Sequence, residues 1–453
     1  MLRLSSKENL SIEKLLHVAI KLFLFLLPWQ TILILKEQYV NGFKWQYGTI
    51  GFYGTEILLW VIVFLFFGHY IRQKNFKFSR HERDPAMAGQ FSKDRIFLMF
   101  CLLFLCYVFA STLWAGDRDV ALQHALYVVE GFLLCIIILV GPFEKYELAK
   151  WFVYGSIIPS LLGIAQFLFQ TTWQTKWLGL VFHPAWELGT SVIASDTIGR
   201  WLRAYGTFGH PNVFGGYLVL VIICTLFLAE RLKDCKIKRL SVVVLYLLQI
   251  TALFFTFSRS SWITFVIVLL FSCYIMFKKH VSFIIYHLSF TFILILLLTG
   301  IFFPLVKTRF SNQSVSEVRS TEERISGYGE AIQLFKQHPW VGVGSGNYTV
   351  AVLAQKPSTP GWQLQPVHNV FALFVVEYGL VGTMLLLGIV LSFIIYHVSR
   401  NTYQRDNKNL MCYVLCAMCY VLLAMFDHYL LSSYVGILLI LAFFGVIYTV
   451  VPR

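Results

Sequence analysis

Four clusters of polar and aromatic residues in this chain combine side chains that can hold an anion with side chains that can move a proton. The first is Arg203-Ala-Tyr-Gly-Thr-Phe-Gly-His-Pro-Asn212, and the second is Ser258-Arg259-Ser260-Ser261-Trp262. The third is His338-Pro-Trp-Val-Gly-Val-Gly-Ser-Gly-Asn-Tyr348, and the fourth is Val367-His368-Asn369. Arginine carries a planar fork of N–H donors that meets a phosphate bidentately. A neutral histidine, with an ordinary pKa of about 6.5, can take a proton from a hydroxyl. Arg203 and Arg259 are therefore the candidate anion ligands and His368 the candidate base. His210, Asn212, Gly344, Tyr348 and Asn369 are the neighbours expected to support them.

Each residue also has a plainer reading when taken alone. Arg203 fits a lipid-headgroup anchor, His368 a structural histidine at an interface, and the GVGSG run a tight turn that uses the freedom of glycine at positive φ. Arg259 is harder to dismiss, because it lies near the hydrocarbon boundary in a short turn, where an arginine normally has a partner. The combination of all four clusters is harder still to explain as packing.

The elements that position these clusters follow from composition. Of 453 residues, 58% are hydrophobic and 13% charged, whereas a soluble domain carries about 25% charged residues. A soluble single-core domain, a disordered chain and a nucleic-acid binder are all excluded. About 20 mostly apolar residues make a helix long enough to cross a bilayer. Twelve segments meet that description: 15–35, 50–70, 96–113, 120–141, 151–170, 212–230, 240–257, 261–277, 282–302, 369–396, 410–426 and 434–451. The fold class is thus an all-α polytopic membrane protein. The first segment is too polar for a cleaved leader and is expected to stay.

Twelve spans put both termini on one side. The loops on that side hold 23 of the 37 Lys and Arg residues, although the opposite loops are longer in total. The positive-inside rule then places both termini in the cytoplasm. The net charge of +14 is mainly this orientation signal, with anionic membrane lipid as its partner. Two long loops, 171–211 and 303–368, fall outside. Within the second, Glu322 to Gln337 reads as an amphipathic helix near the membrane surface. Spans six, eight and ten run inward, so their N-termini, with unpaired N–H groups and partial positive charge, face outward beside Arg203, Arg259 and His368. If the three helices are neighbours, they form an anion site of the kind that binds phosphate.

Several other chemistries are absent or weak. There is no GxxxxGK[ST] and no HExxH, and no His/Cys ligand cluster is visible. Asp117 and Asp119 form a DxD that could hold a metal–diphosphate but also fits a helix cap. Cys416 and Cys419 lie in an apolar span, where packing is the expected role, and no external disulfide is expected. Asn312 and Asn347 begin N-x-S/T triplets, which are common by chance. Glu377 lies nine residues after His368. On a continuous helix that is the opposite face, about 13 Å deeper, so it should bond a neighbouring helix. Glu56 and Glu130 lie within spans and keep a polysaccharide flippase or other transporter in view. That alternative requires internal repeats, and none is clear.

RAYGTFGHPNVFGGYL (203–218), TFSRSSW (256–262), HPWVGVGSGNY (338–348) and VHNVFALFVVEYGLVG (367–382) together resemble the bacterial O-antigen ligase and O-antigen polymerase superfamily. Their order and spacing across roughly residues 200–400 are similar to the family's shared domain, while the first 200 residues match only as a series of spans. The resemblance implies a C-type membrane glycosyltransferase, with a large periplasmic loop, working on the outer face of the bacterial cytoplasmic membrane. The donor would be an undecaprenyl-diphosphate-linked glycan. The acceptor would be lipid A–core in a ligase, another carrier-linked glycan in a polymerase, or a protein side chain in a third branch. By motif position, Arg203 and Arg259 fall on the family's donor-binding arginines and His368 on its catalytic histidine. The SRSS here departs from the small Gly or Ala that many members have after SR.

The expected organisation is residues 1–200 with helices one to five and the first external loop, a core at 201–400 with helices six to ten, and 401–453 with the last two. A diphosphate is already a good leaving group, so no cofactor or metal is expected. The topology has a direct test in a cysteine-free background. A single cysteine at position 320 should react with impermeant reagent in intact cells, and one at position 80 should not; the reverse pattern overturns the orientation.

Overall fold

Apolar runs without interior proline satisfy their own backbone groups as helices, and the chain is built mainly of these. The computed structural model describes residues 2–72, 85–144, 146–187, 189–195, 198–231, 236–277, 281–311, 315–404 and 407–450. The first helices are α1 (Leu2–Leu26), α2 (Gly54–Arg72), α3 (Pro85–Ala110), α4 (Arg118–Val140), α5 (Glu147–Tyr154) and α6 (Ile157–Phe169). Next come α7 (Pro211–Arg231), α8 (Lys236–Phe255), α9 (Arg259–Phe277), α10 (Val281–Ile301), α11 (Phe303–Ser311), α12 (Val315–Gln337) and α13 (Tyr348–Gln355). The chain closes with α14 (Val370–Gln404), α15 (Asn407–Phe426), α16 (Tyr429–Ser432) and α17 (Tyr434–Val450).

Among the described residues, six helices are long and apolar enough to cross a membrane, or seven if α10 and α11, bent by 88° at their junction, count as one. Four shorter apolar helices, within α8, α9, α15 and α17, accompany them. Much of the basic sequence behind the orientation, at 73–84, 232–235, 278–280, 405–406 and 451–453, lies outside the described residues, as does Asn312.

Two expected spans begin or end differently. The first helix stops at Leu26, because Pro28 lacks an N–H and restricts the residue before it. The apolar residues that follow form strand β1 (Ile32–Lys36), with a small hairpin β2 (Tyr39–Val40) and β3 (Phe43–Lys44) beyond it. Strand β4 (Ile50–Tyr53) pairs antiparallel with β1, so the second span starts at Gly54 rather than residue 50. Within the loop 171–211, β5 (Val192–Ser195) pairs with β6 (Gly199–Leu202). The loop 303–368 holds α11, α12 and α13. Residues 322–337 are helical as expected, with Ala331 and Leu334 buried and Ile325 and Ile332 exposed.

The main core lies between helices, with Phe214, Tyr217, Tyr246, Tyr434 and Phe443 fully enclosed. A second core under α12 and α13 gathers Trp45, Leu334, Tyr348, Leu373 and Val376. Glu130 accepts a bond from the Trp60 indole at 2.8 Å and Glu56 accepts one from the Tyr53 N–H at 3.0 Å. The first bond ties α2 to α4, and the second fixes the junction of β4 with the start of α2.

Helix α14 is interrupted at Gly379, which sits at φ 62° and ψ −168°. An interruption in a helix strands carbonyls before it and N–H groups after it. The segment Pro339–Gly344 supplies four of the missing partners. Val343 and Gly344 donate to the carbonyls of Val376 and Glu377 at 3.0 Å, and Leu380 and Val381 donate to Pro339 and Trp340 at 2.9 and 3.0 Å. The Tyr107 hydroxyl takes the carbonyl of Tyr378 at 2.8 Å. The two backbones come so close that a Cβ on Gly342 would lie 2.4 Å from the Glu377 carbonyl oxygen, which explains a glycine there.

Candidate active site

The 203–210 loop is shaped from below by Gln166 of α6. Its side-chain oxygen accepts from the Tyr205 and Gly206 N–H groups at 3.1 and 2.8 Å, and its amide donates to the Gly206 carbonyl at 2.8 Å. The loop ends in His210, whose Nδ1 accepts the Asn212 N–H at 3.1 Å and so caps α7, with Pro211 as first helical residue. That bond makes Nε2 the protonated nitrogen, which faces the Ser191 hydroxyl at 3.3 Å.

Arg203 is 4% exposed. Its Nε donates to the Thr256 carbonyl at 2.7 Å, and its two terminal nitrogens donate to Ser191 Oγ at 2.8 Å and Asn212 Oδ1 at 2.7 Å. The start of α7 and the turn before α9 are therefore neighbours, as the anion-site argument requires. Asn212 passes the connection on, donating to Asp427 Oδ2 at 2.8 Å. Asp427, in the break between α15 and α16, faces His368 Nδ1 at 3.6 Å and His428 Nε2 at 3.9 Å. One continuous polar line thus joins α7, α9, the residues before α14 and the residues before α16.

Burial alone would lift the Asp427 carboxyl, but the facing His368 and the charges of His428 and His210 hold it well below the usual carboxylate range. Burial pushes the His428 imidazole down to about 3, against the pull of Asp427. Its Nδ1 is bonded to Ser432 Oγ at 2.7 Å. Nδ1 of His368 is the ring nitrogen that faces the carboxylate, and Nε2 is the other. Asn369 caps α14 behind it, accepting the Ala372 N–H at 3.0 Å and donating to the Tyr328 hydroxyl at 3.2 Å.

Arg259 occupies the first turn of α9, half-buried. The serines of SRSS settle that turn: Ser258 accepts from the Ser261 hydroxyl at 3.0 Å, and its carbonyl takes the Trp262 N–H at 2.9 Å. Ser261 also packs directly on Gly215 of α7, where a Cβ would lie 2.6 Å from its hydroxyl.

Gly344 and Tyr348 stand further back. Gly344, at φ +100°, belongs to the segment that repairs α14, and the Tyr348 hydroxyl donates to the Gly327 carbonyl of α12 at 3.1 Å. Glu377 accepts the Gly346 N–H at 3.1 Å and also bonds the backbone of Tyr348, the first residue of α13; the loop reaches it because α14 is broken just beyond. Asp117 caps α4 through the Asp119 and Val120 N–H groups at 3.0 and 3.1 Å, and Asp119 pairs with Lys36 at 3.0 Å. The DxD is thus occupied in local structure.

Three residues escaped the sequence reading. Asp427 and His428 were visible only as a polar pair between two apolar runs. Arg324, on α12, has a buried Nε without a hydrogen-bond partner and lends its charge to the environment of His428. The ligand atoms of His368, Asp427 and His428 lie within 4.8 Å of one another. Two imidazoles and a carboxylate are a donor set that could hold a divalent cation, and the sequence hid this grouping because His368 lies far before the adjacent pair Asp427 and His428.

Residues 242–387 match the family described as O-antigen ligase. The matched stretch supplies Arg259, Arg324 and His368, while Arg203, Asn212, Asp427 and His428 come from outside it. No curated protein matches the chain.

The depressed values of Asp427 and His428 predict acid sensitivity. Both groups bind protons more readily in the unfolded chain, so folding stability rises with pH wherever that difference operates. The His428 contribution is complete above its ordinary value of 6.5 and is lost as pH falls towards about 3. The melting temperature in detergent should therefore drop as pH is lowered from 7 to 4.5. His428→Asn should flatten that drop; an equal drop in the variant contradicts the assignment.

Proposed function

We propose, starting from an O-antigen ligase-type domain at residues 242–387, that this chain is a membrane glycosyltransferase. It moves a glycan from an undecaprenyl-diphosphate carrier to an acceptor hydroxyl on the outer face of the bacterial cytoplasmic membrane. The acceptor is lipid A–core, which makes it a ligase. The reading includes both termini in the cytoplasm, twelve crossings with the shorter apolar helices counted among them, and no resident cofactor. The observation that carries it is His368 set against buried Asp427 at the point where the N-terminal ends of α7 and α14 meet.

The chemistry follows from these positions. The acceptor oxygen bonds the anomeric carbon as the bond from that carbon to the diphosphate breaks. Nε2 of His368 takes the hydroxyl proton, and Asp427 balances the imidazolium that results. Undecaprenyl diphosphate leaves with the bonding electrons. Arg259, Arg324 and the N–H groups in the first turns of α7, α9 and α14 meet its growing charge. Arg203 acts from behind Asn212, adding positive charge while holding Asn212 on Asp427. Glycan, carrier and acceptor need only be held in line, since the donor already carries its leaving group.

The donor side is tested by Arg259→Lys. Lysine keeps the charge but loses the planar fork. Losing charge-assisted bonds in a largely dry site should cost about 2–4 kcal/mol of transition-state stabilisation, or roughly 30- to 1,000-fold in rate. Near-normal transfer by purified Arg259→Lys in proteoliposomes would remove Arg259 from the donor site.

The base is tested by His368→Ala. The variant should insert normally, still bind the carrier-linked glycan and lose on the order of 10²–10⁴-fold in transfer rate. Chelator should leave the unaltered protein active. Transfer at the normal rate by His368→Ala makes the histidine structural. Activity lost to chelator and restored by a divalent cation would instead make His368, Asp427 and His428 metal ligands. Offering the same donor with lipid A–core or with a second carrier-linked glycan separates ligase from polymerase.

A further inference from the structure

Arg309 lies on α11, the short helix set at 88° to α10, and is 8% exposed. Its Nε donates to the Phe257 carbonyl at 2.9 Å. The neighbouring carbonyl, of Thr256, is the one that Arg203 holds at 2.7 Å. Two guanidiniums from distant segments thus grip consecutive carbonyls at the C-terminal end of α8, where the partial negative charge of that helix collects. The gripped turn is unusual. Phe257 has φ 46°, a left-handed conformation that a bulky residue adopts only when its surroundings impose it. Two residues later, Arg259 opens α9.

We infer that Arg309 is a positioning residue for Arg259: by holding the Phe257 carbonyl, it fixes the left-handed turn that aims the Arg259 guanidinium at the donor diphosphate. The inference rests on the donor-site reading above and names the residue that gives that site its geometry. The surroundings fit this role. Phe257 packs on Phe254, Phe167 and Trp262 with ring separations of 5.5, 5.7 and 5.3 Å, and Phe310, next to Arg309, reaches Trp262 at 6.1 Å. The aromatic packing keeps the side of the turn, while the guanidinium sets the direction of its carbonyl. Without the latter, the peptide plane between Phe257 and Ser258 can rotate, and the first turn of α9 shifts with it. A bidentate contact with a diphosphate tolerates little displacement.

The test measures binding of undecaprenyl diphosphate and of undecaprenyl phosphate to the purified full-length protein in detergent, with melting temperature recorded alongside. Arg309→Met, which keeps bulk but no donor, should weaken diphosphate binding at least tenfold and erase most of the preference for diphosphate over monophosphate. Arg309→Lys keeps a cation and an N–H for the carbonyl, and should bind the diphosphate within about threefold of the unaltered protein. A residue that served stability alone would lower the melting temperature of Arg309→Met and leave the preference intact; that result overturns the inference. Arg259→Met separates the two levels. If it loses the diphosphate preference while Arg309→Met keeps it, only the positioning role fails. If it keeps the preference, the donor site itself has been misplaced. Should Arg309→Met not accumulate, Arg309→Lys decides: binding within threefold supports the role, and a tenfold loss at an unchanged melting temperature overturns it.

Discussion

A carboxylate buried away from water must be compensated by groups that reach it, and Asp427 imposes that demand on the whole site. Asp427 is 5% exposed and still held in its charged form. What compensates it comes from separate parts of the chain: Asn212 from α7, His368 from the approach to α14, and His428 beside it. Arg203 stands one bond behind Asn212 and is itself anchored on the turn before α9. Once the charge is fixed at this point, the N-terminal ends of α7, α9 and α14 have little freedom to be elsewhere.

The parts of this arrangement that obey local rules were legible in the sequence. Long apolar runs announced the helices, and the polar clusters ending at Asn212 and Asn369 stood close to where α7 and α14 begin. Asp117 fitted a cap as well as a metal ligand, and in the structure it is a cap. What depends on tertiary contact was hidden. Asp427 and His428 are two polar residues in a stretch of apolar sequence, and nothing local distinguishes them from an ordinary turn. The strand at Ile32–Lys36 is as apolar as the helix before it, so hydropathy alone merged the two. Glu377 was placed on a continuous helix, and the loop that bonds it is reached only because that helix stops.

The first 200 residues, featureless as motifs, also hold the site together. His124 of α4 is bonded through Nδ1 to Ser345 Oγ at 2.8 Å and through Nε2 to the Leu431 carbonyl at 2.7 Å. A carbonyl only accepts, so Nε2 carries the proton and the ring is a fixed strut between the GVGSGN segment and α16. The residues that follow Asp427 and His428 are thereby tied to a helix more than 300 positions earlier. Gln166 does the same for the 203–210 loop from α6.

The break in α14 has a mechanical meaning. An unbroken rod running from the lipid to His368 would act as a lever on that side chain. A tilt of about 10°, ordinary for a helix adapting to bilayer thickness, would sweep a point about 16 Å along it through about 3 Å. Catalytic geometry tolerates only about 0.5 Å. With the rod cut at Gly379 and its short outer piece stitched to the backbone of Pro339–Gly344, the imidazole takes its reference frame from the loop. The same segment also holds Leu380 and Val381 of the shaft, so a swing of the shaft meets His368 through one glycine and a loop bonded on both sides of the break, not through a rigid rod.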